Sequence, residues 1–519
     1  MKLKNFIKKP FVLIIISAVL SALPLTFSSL FWLSWVSFAP FFYVIIKHSD
    51  DKLIRSLARG ILFGIIYHIC IYYWFLEFCT PNYTGVTKIA RIGFVTLCWL
   101  GISAVHGVLW CIPTVLSCLV AKKVKNPYLL CAVAVLGIIA AEKLTQISEL
   151  SFPWARVSLG LYSVPQLIQS ASLFGIDGVD ILILSVNSLL TLSIVGTDKK
   201  RIAALVAAVA VFCANLGFGF VRINTENNSG EINILTVQAS VETSQKWSSG
   251  GDKICYDIYS SLTKQNITAD TDLIIWPESA VPKVYKSEKS LGKYTKISKE
   301  LDTPLLVGIL RKTDGVFTNN AALIDENGIT DCYAKRQLVP FGEYMPYKKT
   351  LSKIFPFLDN LNIVDEDYTA GTDTAVMKVK GGKIGNIICF ESTYPDLYRQ
   401  SVSDGAELII EVTNDSWLGN SPAMHQHLAH GVFRSIENGR YLVRSANSGV
   451  SAVIDSRGRV LKALDPNVQG VICDTVYFSN ESTLYTKTGD IIFPIFALAV
   501  IIWYLVLLIA SFNQKKNVP

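Results

Sequence analysis

The sequence predicts a multi-pass α-helical membrane domain of about eight spans carrying one water-exposed α/β domain. Three observations carry that prediction. Of the 519 residues, 51% are hydrophobic and only 17% are charged, too apolar a balance for a soluble chain of this length. The apolar residues dominate roughly the first 220 positions and return in one block near the end. Between them, positions 221–490 read as ordinary mixed-polarity sequence, long enough to bury a core of their own. The resulting division is 1–220 (about seven helices), 221–490 (the exposed domain), 491–511 (a last helix) and 512–519 (a tail).

The elements follow in order. A basic start, MKLKNFIKK, leads into FVLIIISAVLSALPLTF, which resembles a signal peptide; a second apolar run, LFWLSWVSFAPFFYVII, follows at once without a cleavage site, so both are expected to be retained. Further spans are expected at about 60–79, 91–119, 127–141, 165–195, 202–220 and 491–511. The run at 91–119 exceeds one bilayer and that at 127–141 falls short of it, discrepancies that a kink near Pro113, tilt or a partly interfacial helix would absorb. His68, Glu77, His106 and Glu142 lie near span ends and should face protein or a watery cleft.

The net charge of +7 is spread over short Lys/Arg groups between apolar runs, with no basic stripe interleaved with aromatics. That pattern reads as membrane topology and argues against a nucleic-acid partner. Lys2, Lys4, Lys8 and Lys9, then Lys47, Lys52, Arg55 and Arg59, then Lys122, Lys123 and Lys125, then Lys199, Lys200 and Arg201, and finally Lys515 and Lys516 all fall on one side. The opposite loops hold fewer (Lys88, Arg91, Lys143, Arg156), beside Glu77, Glu142 and Glu149. Both termini are thus expected inside and 221–490 outside the cytoplasmic membrane. Seven of the eleven cysteines lie in or beside apolar segments as small hydrophobes. Cys255, Cys332, Cys389 and Cys473 form no CxxC pair, and the sequence gives no support for a metal or an organic cofactor; a Cys332–Cys389 or Cys255–Cys473 disulfide stays open.

Within 221–490, short β-rich runs end in polar turns, and 421–440 and the region before 271 have helical character. In such an arrangement function sits where strands end. LIIWPES puts Glu278 just past a buried run that Pro277 terminates; the plainer reading is a turn or cap residue. CYAKRQLVPFGEYMP holds Lys335, Arg336 and Glu343, either a solvated charge group or, if Lys335 points inward, a fixed cation for an oxyanion. GGKIGNIICFES ends a strand in Cys389, Phe390 and Glu391, where the cysteine is either core or a nucleophile at a strand exit.

The ordered motifs VQASVETSQKW, IIWPES, AKRQLVPFGEYMP, GNIICFE, TNDSWLGNS, QHL, ENGRYLVRSANSGVSAVID and TLYTKTGD, together with the multi-span first half, resemble the nitrilase (carbon–nitrogen hydrolase) superfamily and, within it, the bacterial apolipoprotein N-acyltransferases. The resemblance implies an αββα sandwich outside the inner membrane, with Glu278, Lys335 and Cys389 as catalytic residues, Glu343 and Glu391 as supporting carboxylates and Trp247 as a functional tryptophan. Phe390 stands where the family often has Tyr. Gln426, His427 and Leu428 match QHL, with packing or loop positioning as open as substrate contact. The implied partners are a phospholipid acyl donor, typically phosphatidylethanolamine, a diacylglyceryl prolipoprotein after signal-peptide cleavage, and the lipid bilayer. The implied chemistry is a ping-pong acyl transfer through a Cys389 thioester. Trp247, Tyr344, Met345, Pro346 and Phe357 are expected near the lipid entrance, with core packing as the alternative for each. One rival is a membrane-tethered amidase that gives its acyl-enzyme to water; another is an inactive lipoprotein-binding or transport component.

Overall fold

The computed structural model describes residues 9–79, 87–225, 227–286, 291–354 and 367–516. It divides into two compact units, one made of Met1–Gln146, Pro153–Asn224 and Thr488–Pro519, the other of Ile147–Phe152 and Thr225–Lys487.

The first unit is helical: α1 (Pro10–Thr26), α2 (Ala39–Lys47), α3 (Leu53–Ile71), α4 (Lys88–Leu109), α5 (Cys111–Ala121), α6 (Pro127–Leu144), α7 (Ala171–Val195) and α8 (Asp198–Ile223), with a last helix, Ile492–Lys516, near the end of the chain. Prolines open α1, α2 and α6, where the missing N–H is one that a helix start leaves unpaired anyway. Asn126 caps α6, its Oδ1 accepting from the N–H groups of Tyr128 (2.9 Å) and Leu129 (3.2 Å). Among the described residues seven helical segments are long and apolar enough to cross a membrane, and Pro10–Thr26 is a shorter apolar one. α3 and α4 meet through small residues: a Cβ on Gly64 would stand 2.4 Å from the Gly107 carbonyl oxygen.

His68, His106 and Glu142, expected to face protein, have protein partners. His68 Nδ1 donates to the Gly64 carbonyl (2.7 Å), and the Tyr72 hydroxyl pairs with His106 Nδ1 (2.9 Å). Glu142 accepts from the Val157 N–H (3.1 Å), and Arg156 bonds Asp180 and Asp177.

The structure bears on three of these readings. The long run at 91–119 breaks at Trp110, within one turn of Pro113 as the expected kink requires; Pro113 itself falls in the first turn of α5, where a proline is tolerated. The run at 127–141 extends to Leu144, an 18-residue helix that needs no interfacial placement. All eleven cysteines are free, so neither disulfide left open forms. Lys2, Lys4 and Lys8 lie outside the described residues.

The second unit is built on two sheets. Its elements are β1 (Gly230–Gln238), α9 (Gly251–Asn266), β2 (Leu273–Trp276), β3 (Val284–Tyr285), α10 (Gly292–Leu301), β4 (Leu305–Thr313), β5 (Val316–Asp325), β6 (Gly328–Ala334), β7 (Met377–Val379), β8 (Gly382–Ile388), α11 (Pro395–Ser403), β9 (Leu408–Thr413), α12 (Ala423–Asn438), β10 (Leu442–Ala446), β11 (Ala452–Ile454), β12 (Val460–Ala463) and β13 (Gly470–Phe478). One sheet runs β13-β1-β2-β4-β5-β6, with β3 beside β4; the other runs β12-β11-β10-β9-β8-β7. In each, three central strands are parallel (β1, β2, β4; β8, β9, β10); β3 also pairs in parallel with β4, and the other flanking strands are antiparallel. The parallel strands are buried throughout most of their length, as strands covered on both faces must be. β1 and β2 touch β10, β5 touches β8, and helices lie against both sheets, α9 on β1 and β13, α10 on β5, α11 on β8 and α12 on β10. Parallel pairing sends the exits of neighbouring strands to the same edge.

Candidate active site

Glu278, Lys335 and Cys389 each follow directly, or within two residues, on the end of a strand. β2 is wholly buried and stops at Pro277, so Glu278 turns off the sheet. β4 can press against this turn because residue 308 is glycine: a Cβ there would come 2.4 Å from both Glu278 Cα and the Pro277 carbonyl oxygen. Lys335 extends the β5–β6 ladder by one bond, its N–H donating to the Asn319 carbonyl at 2.8 Å. Cys389 leaves β8 in a left-handed conformation (φ +54°), uncommon for a non-glycine residue, and is 3% exposed.

The side chains converge. Lys335, itself 1% exposed, donates from Nζ to Glu278 Oε1 (3.3 Å) and Glu343 Oε1 (2.8 Å). Asn319 on β5 donates from Nδ2 to the same two oxygens, at 2.7 and 3.1 Å. Glu278 Oε2 accepts from the Asn414 N–H past β9 (2.9 Å), and Glu343 Oε2 from the Val339 N–H (2.8 Å). Burial opposes the charge on Lys335, but Glu278 and Glu343 outweigh it and raise its pKa well above the ordinary lysine range. Burial, then the charge of Glu278, push the Cys389 thiol well up, against the pull of Lys335.

Glu391 holds a different place. Its Oε1 accepts from the Arg336 N–H (2.6 Å) and Gln337 N–H (3.1 Å), its Oε2 from the Ile388 N–H (2.7 Å), and the Tyr333 hydroxyl bonds it at 2.7 Å. Burial raises its pKa, and these bonds work the other way. It therefore clamps the end of β8 to the chain just past Lys335. The Phe390 ring stacks on Phe152 (centroids 5.5 Å) and meets Tyr394 edge-on (5.5 Å), while the Tyr394 hydroxyl pairs with Ser151 Oγ at 2.6 Å. The ring is thus enclosed by aromatics of the same unit. Trp247 is 54% exposed and stands outside the Glu278–Lys335–Glu343 hydrogen bonds. Tyr344 donates to the Glu149 carbonyl (2.6 Å), and the Met345 N–H to Asp367 (3.3 Å); Phe357 lies outside the described residues.

Behind the cysteine stands a second buried cluster, of which the sequence reading named only His427, with loop positioning as one of its open roles. His427 Nε2 donates to the Cys389 carbonyl (3.1 Å), and its Nδ1 lies 2.9 Å from Asp415 Oδ1. Arg444 spans Glu411 and Asp415, the latter at 2.7 Å, and Tyr398 donates to Glu411 (2.9 Å). Cys389, Asp415 and His427 place possible metal ligands within 4.8 Å of one another. The Arg444 guanidinium, 2.8 Å from His427 Nδ1, already occupies the cation's electrostatic role, so this set fits a hydrogen-bond network rather than a metal centre. Asn319, Asn414 and Asp415 were also unassigned; the signal available for them was polar residues, TNN and TND, at positions where a buried strand or its exit calls for apolar ones.

A sheet-based domain with Glu, Lys and Cys at its strand exits, in one chain with a helical membrane unit, defines a membrane-bound enzyme of the carbon–nitrogen hydrolase class. The Carbon-nitrogen hydrolase profile matches residues 233–482, and that of the Apolipoprotein N-acyltransferase N-terminal domain matches 17–189. The apolipoprotein N-acyltransferase of Geobacter metallireducens is 28% identical over 98% of this chain and 96% of its own; that of Allorhizobium ampelinum is 30% identical over 80% of each. A solved structure, Saccharomyces cerevisiae Nit3, aligns with 49% of this chain and 92% of that one at 17% identity and a TM-score of 0.38. The chain belongs to the apolipoprotein N-acyltransferase family.

Proposed function

We propose that the protein moves a fatty acyl chain from a membrane phospholipid, typically phosphatidylethanolamine, to the N-terminal α-amine of an S-diacylglyceryl cysteine on an apolipoprotein, through a thioester on Cys389. The observation that carries this reading is the buried Lys335 ammonium shared between Glu278 and Glu343 beside the cysteine. Because burial keeps the resting thiol protonated, proton removal belongs with the attack. Glu278 takes the Sγ proton as sulfur bonds the donor's ester carbon and the carbonyl electron pair moves onto oxygen. Lys335 stays an ammonium and has an N–H beyond those given to the two carboxylates; it receives the oxyanion. Collapse breaks the ester C–O bond, and Glu278 returns the proton to the departing lysophospholipid. In the second half the α-amine attacks the thioester, Glu278 takes an amine proton, the C–N bond forms, and the C–S bond breaks to regenerate the thiol.

Glu343 orients Lys335, Glu391 fixes the loop that carries it, and Trp247 and Phe390 support the acyl site. In the cell we place the protein in the inner membrane with eight spans, both termini cytoplasmic and the domain of about 221–490 periplasmic, as the Lys/Arg distribution supports. Mass analysis of Cys389 after incubation with phospholipid and no amine acceptor tests the reading. The expected result is a mass increase of one acyl group, discharged as N-acylated lipopeptide when diacyl lipopeptide is added. Release of free acid only would establish the hydrolytic amidase instead. In Cys389→Ala the adduct should vanish and transfer should fall at least about 10³-fold.

A further inference from the structure

We propose that Lys246 is a second internal cation of this active site, a positioning residue whose ammonium favours the ionised form of Glu278 from the β1 side. The inference rests on Glu278 being the base. Lys246 is 1% exposed, and its Nζ has no hydrogen-bond partner among the described residues. A buried ammonium without a partner is expensive, and a methionine would fill the same space at less cost.

Its location gives the charge something to act on. β1 and β2 pair in parallel, Ile234 with Leu273 through Thr236 with Ile275, so the chain leaves both strands at one edge, toward Lys246 after β1 and Glu278 after β2. The two exits are tied together. The Ser240 N–H donates to the Asn447 carbonyl (2.8 Å) and the Val241 N–H to Asn447 Oδ1 (3.3 Å). Asn447 Nδ2 donates to Asn414 Oδ1 (3.2 Å), and the Asn414 N–H holds Glu278 Oε2.

Glu278 and Glu343 set two carboxylates against the one Lys335 ammonium, and Lys246 supplies a second. Burial lowers the Lys246 pKa to about 8, with Cys255 and Glu278 the groups that act against that fall. Around Cys255 stand Asp252 and Lys293, and Lys283 lies 4.0 Å from Asp252. A lysine that merely fills the core would leave the ionisation of Glu278 untouched; a positioning cation would not.

The test is the rate of iodoacetamide labelling of Cys389 against pH, read by mass spectrometry on the full-length protein in detergent. The proteins compared are native, Glu278→Gln, Lys246→Met, Lys246→Gln and Lys246→Arg. Without the ammonium the carboxylate form of Glu278 becomes costlier, so the acid limb should move to higher pH by about one unit, a roughly tenfold slower reaction on that limb. Lys246→Arg should restore it. A limb unmoved in both Lys246→Met and Lys246→Gln, or a rate lowered equally at every pH, overturns the inference. If Glu278→Gln leaves the native limb in place, the base assignment fails instead. Should Lys246→Met not fold, Lys246→Gln carries the same comparison.

Discussion

Two buried clusters flank Cys389, and they share a plan: a pair of carboxylates held by a basic side chain. Around Glu278 and Glu343 the base is Lys335, a flexible ammonium with two N–H groups engaged. Around Glu411 and Asp415 it is Arg444, whose planar fork grips both carboxylates, with His427 bonded to one of them and to the cysteine's carbonyl. The choice of base separates their work. An ammonium on a long stem keeps a donor for a developing charge, whereas a doubly bound guanidinium fixes geometry and has little left to offer a substrate. On the proposed function the first cluster serves the reaction, and the second, through His427, holds the left-handed turn at Cys389.

That contrast breaks most visibly at Lys335. Lys335→Met should lower the rate of acyl-enzyme formation about 10²–10³-fold, measured by single-turnover mass analysis of Cys389. It also removes the ammonium that bonds both carboxylates, leaving their mutual repulsion to favour proton uptake, so the remaining activity should rise with pH.

Arg444→Met should act on stability first. Stranding Glu411 and Asp415 in the core should cost about 3–5 kcal/mol, read as a fall in Tm. Burial alone would raise the Asp415 pKa, but His427 and Arg444 depress it strongly. A depressed carboxyl contributes stability above its unfolded pKa and loses it as pH falls through the lower folded value. The variant's deficit should therefore be largest near neutral pH and shrink as pH falls below the ordinary carboxylate range. A deficit that is constant with pH would assign Arg444 to packing alone. The smallest expected effect is at Trp247: because it is half exposed, Trp247→Ala should change stability by less than about 0.5 kcal/mol. A raised KM for phospholipid with unchanged Tm would make it a substrate contact, and no change in either would remove it from the site.

Much of the fold was legible because apolar length is a local property. The spans, the strand runs and the exits at Glu278, Lys335 and Cys389 all show as a hydrophobic stretch followed by an abrupt polar change. What was hidden depends on partners far along the chain. Asn319 reads as a polar interruption of β5 until Glu278 and Glu343 are seen to share its amide. Ser151 and Phe152, lying in sequence between spans, pack with Tyr394 and Phe390 in the sheet unit, a pairing no hydropathy window detects.

Glu391 carries a mechanical consequence. By gathering the N–H groups of Ile388, Arg336 and Gln337 on one carboxylate, it welds the strand that presents the thiol to the backbone beside the ammonium. The chain beyond Gln337 lies outside this clamp. Glu343 stands outside the clamp and Lys335 just before it, so a displacement of the chain beyond Gln337 would loosen one of the lysine's two tethers while leaving sulfur and ammonium in register.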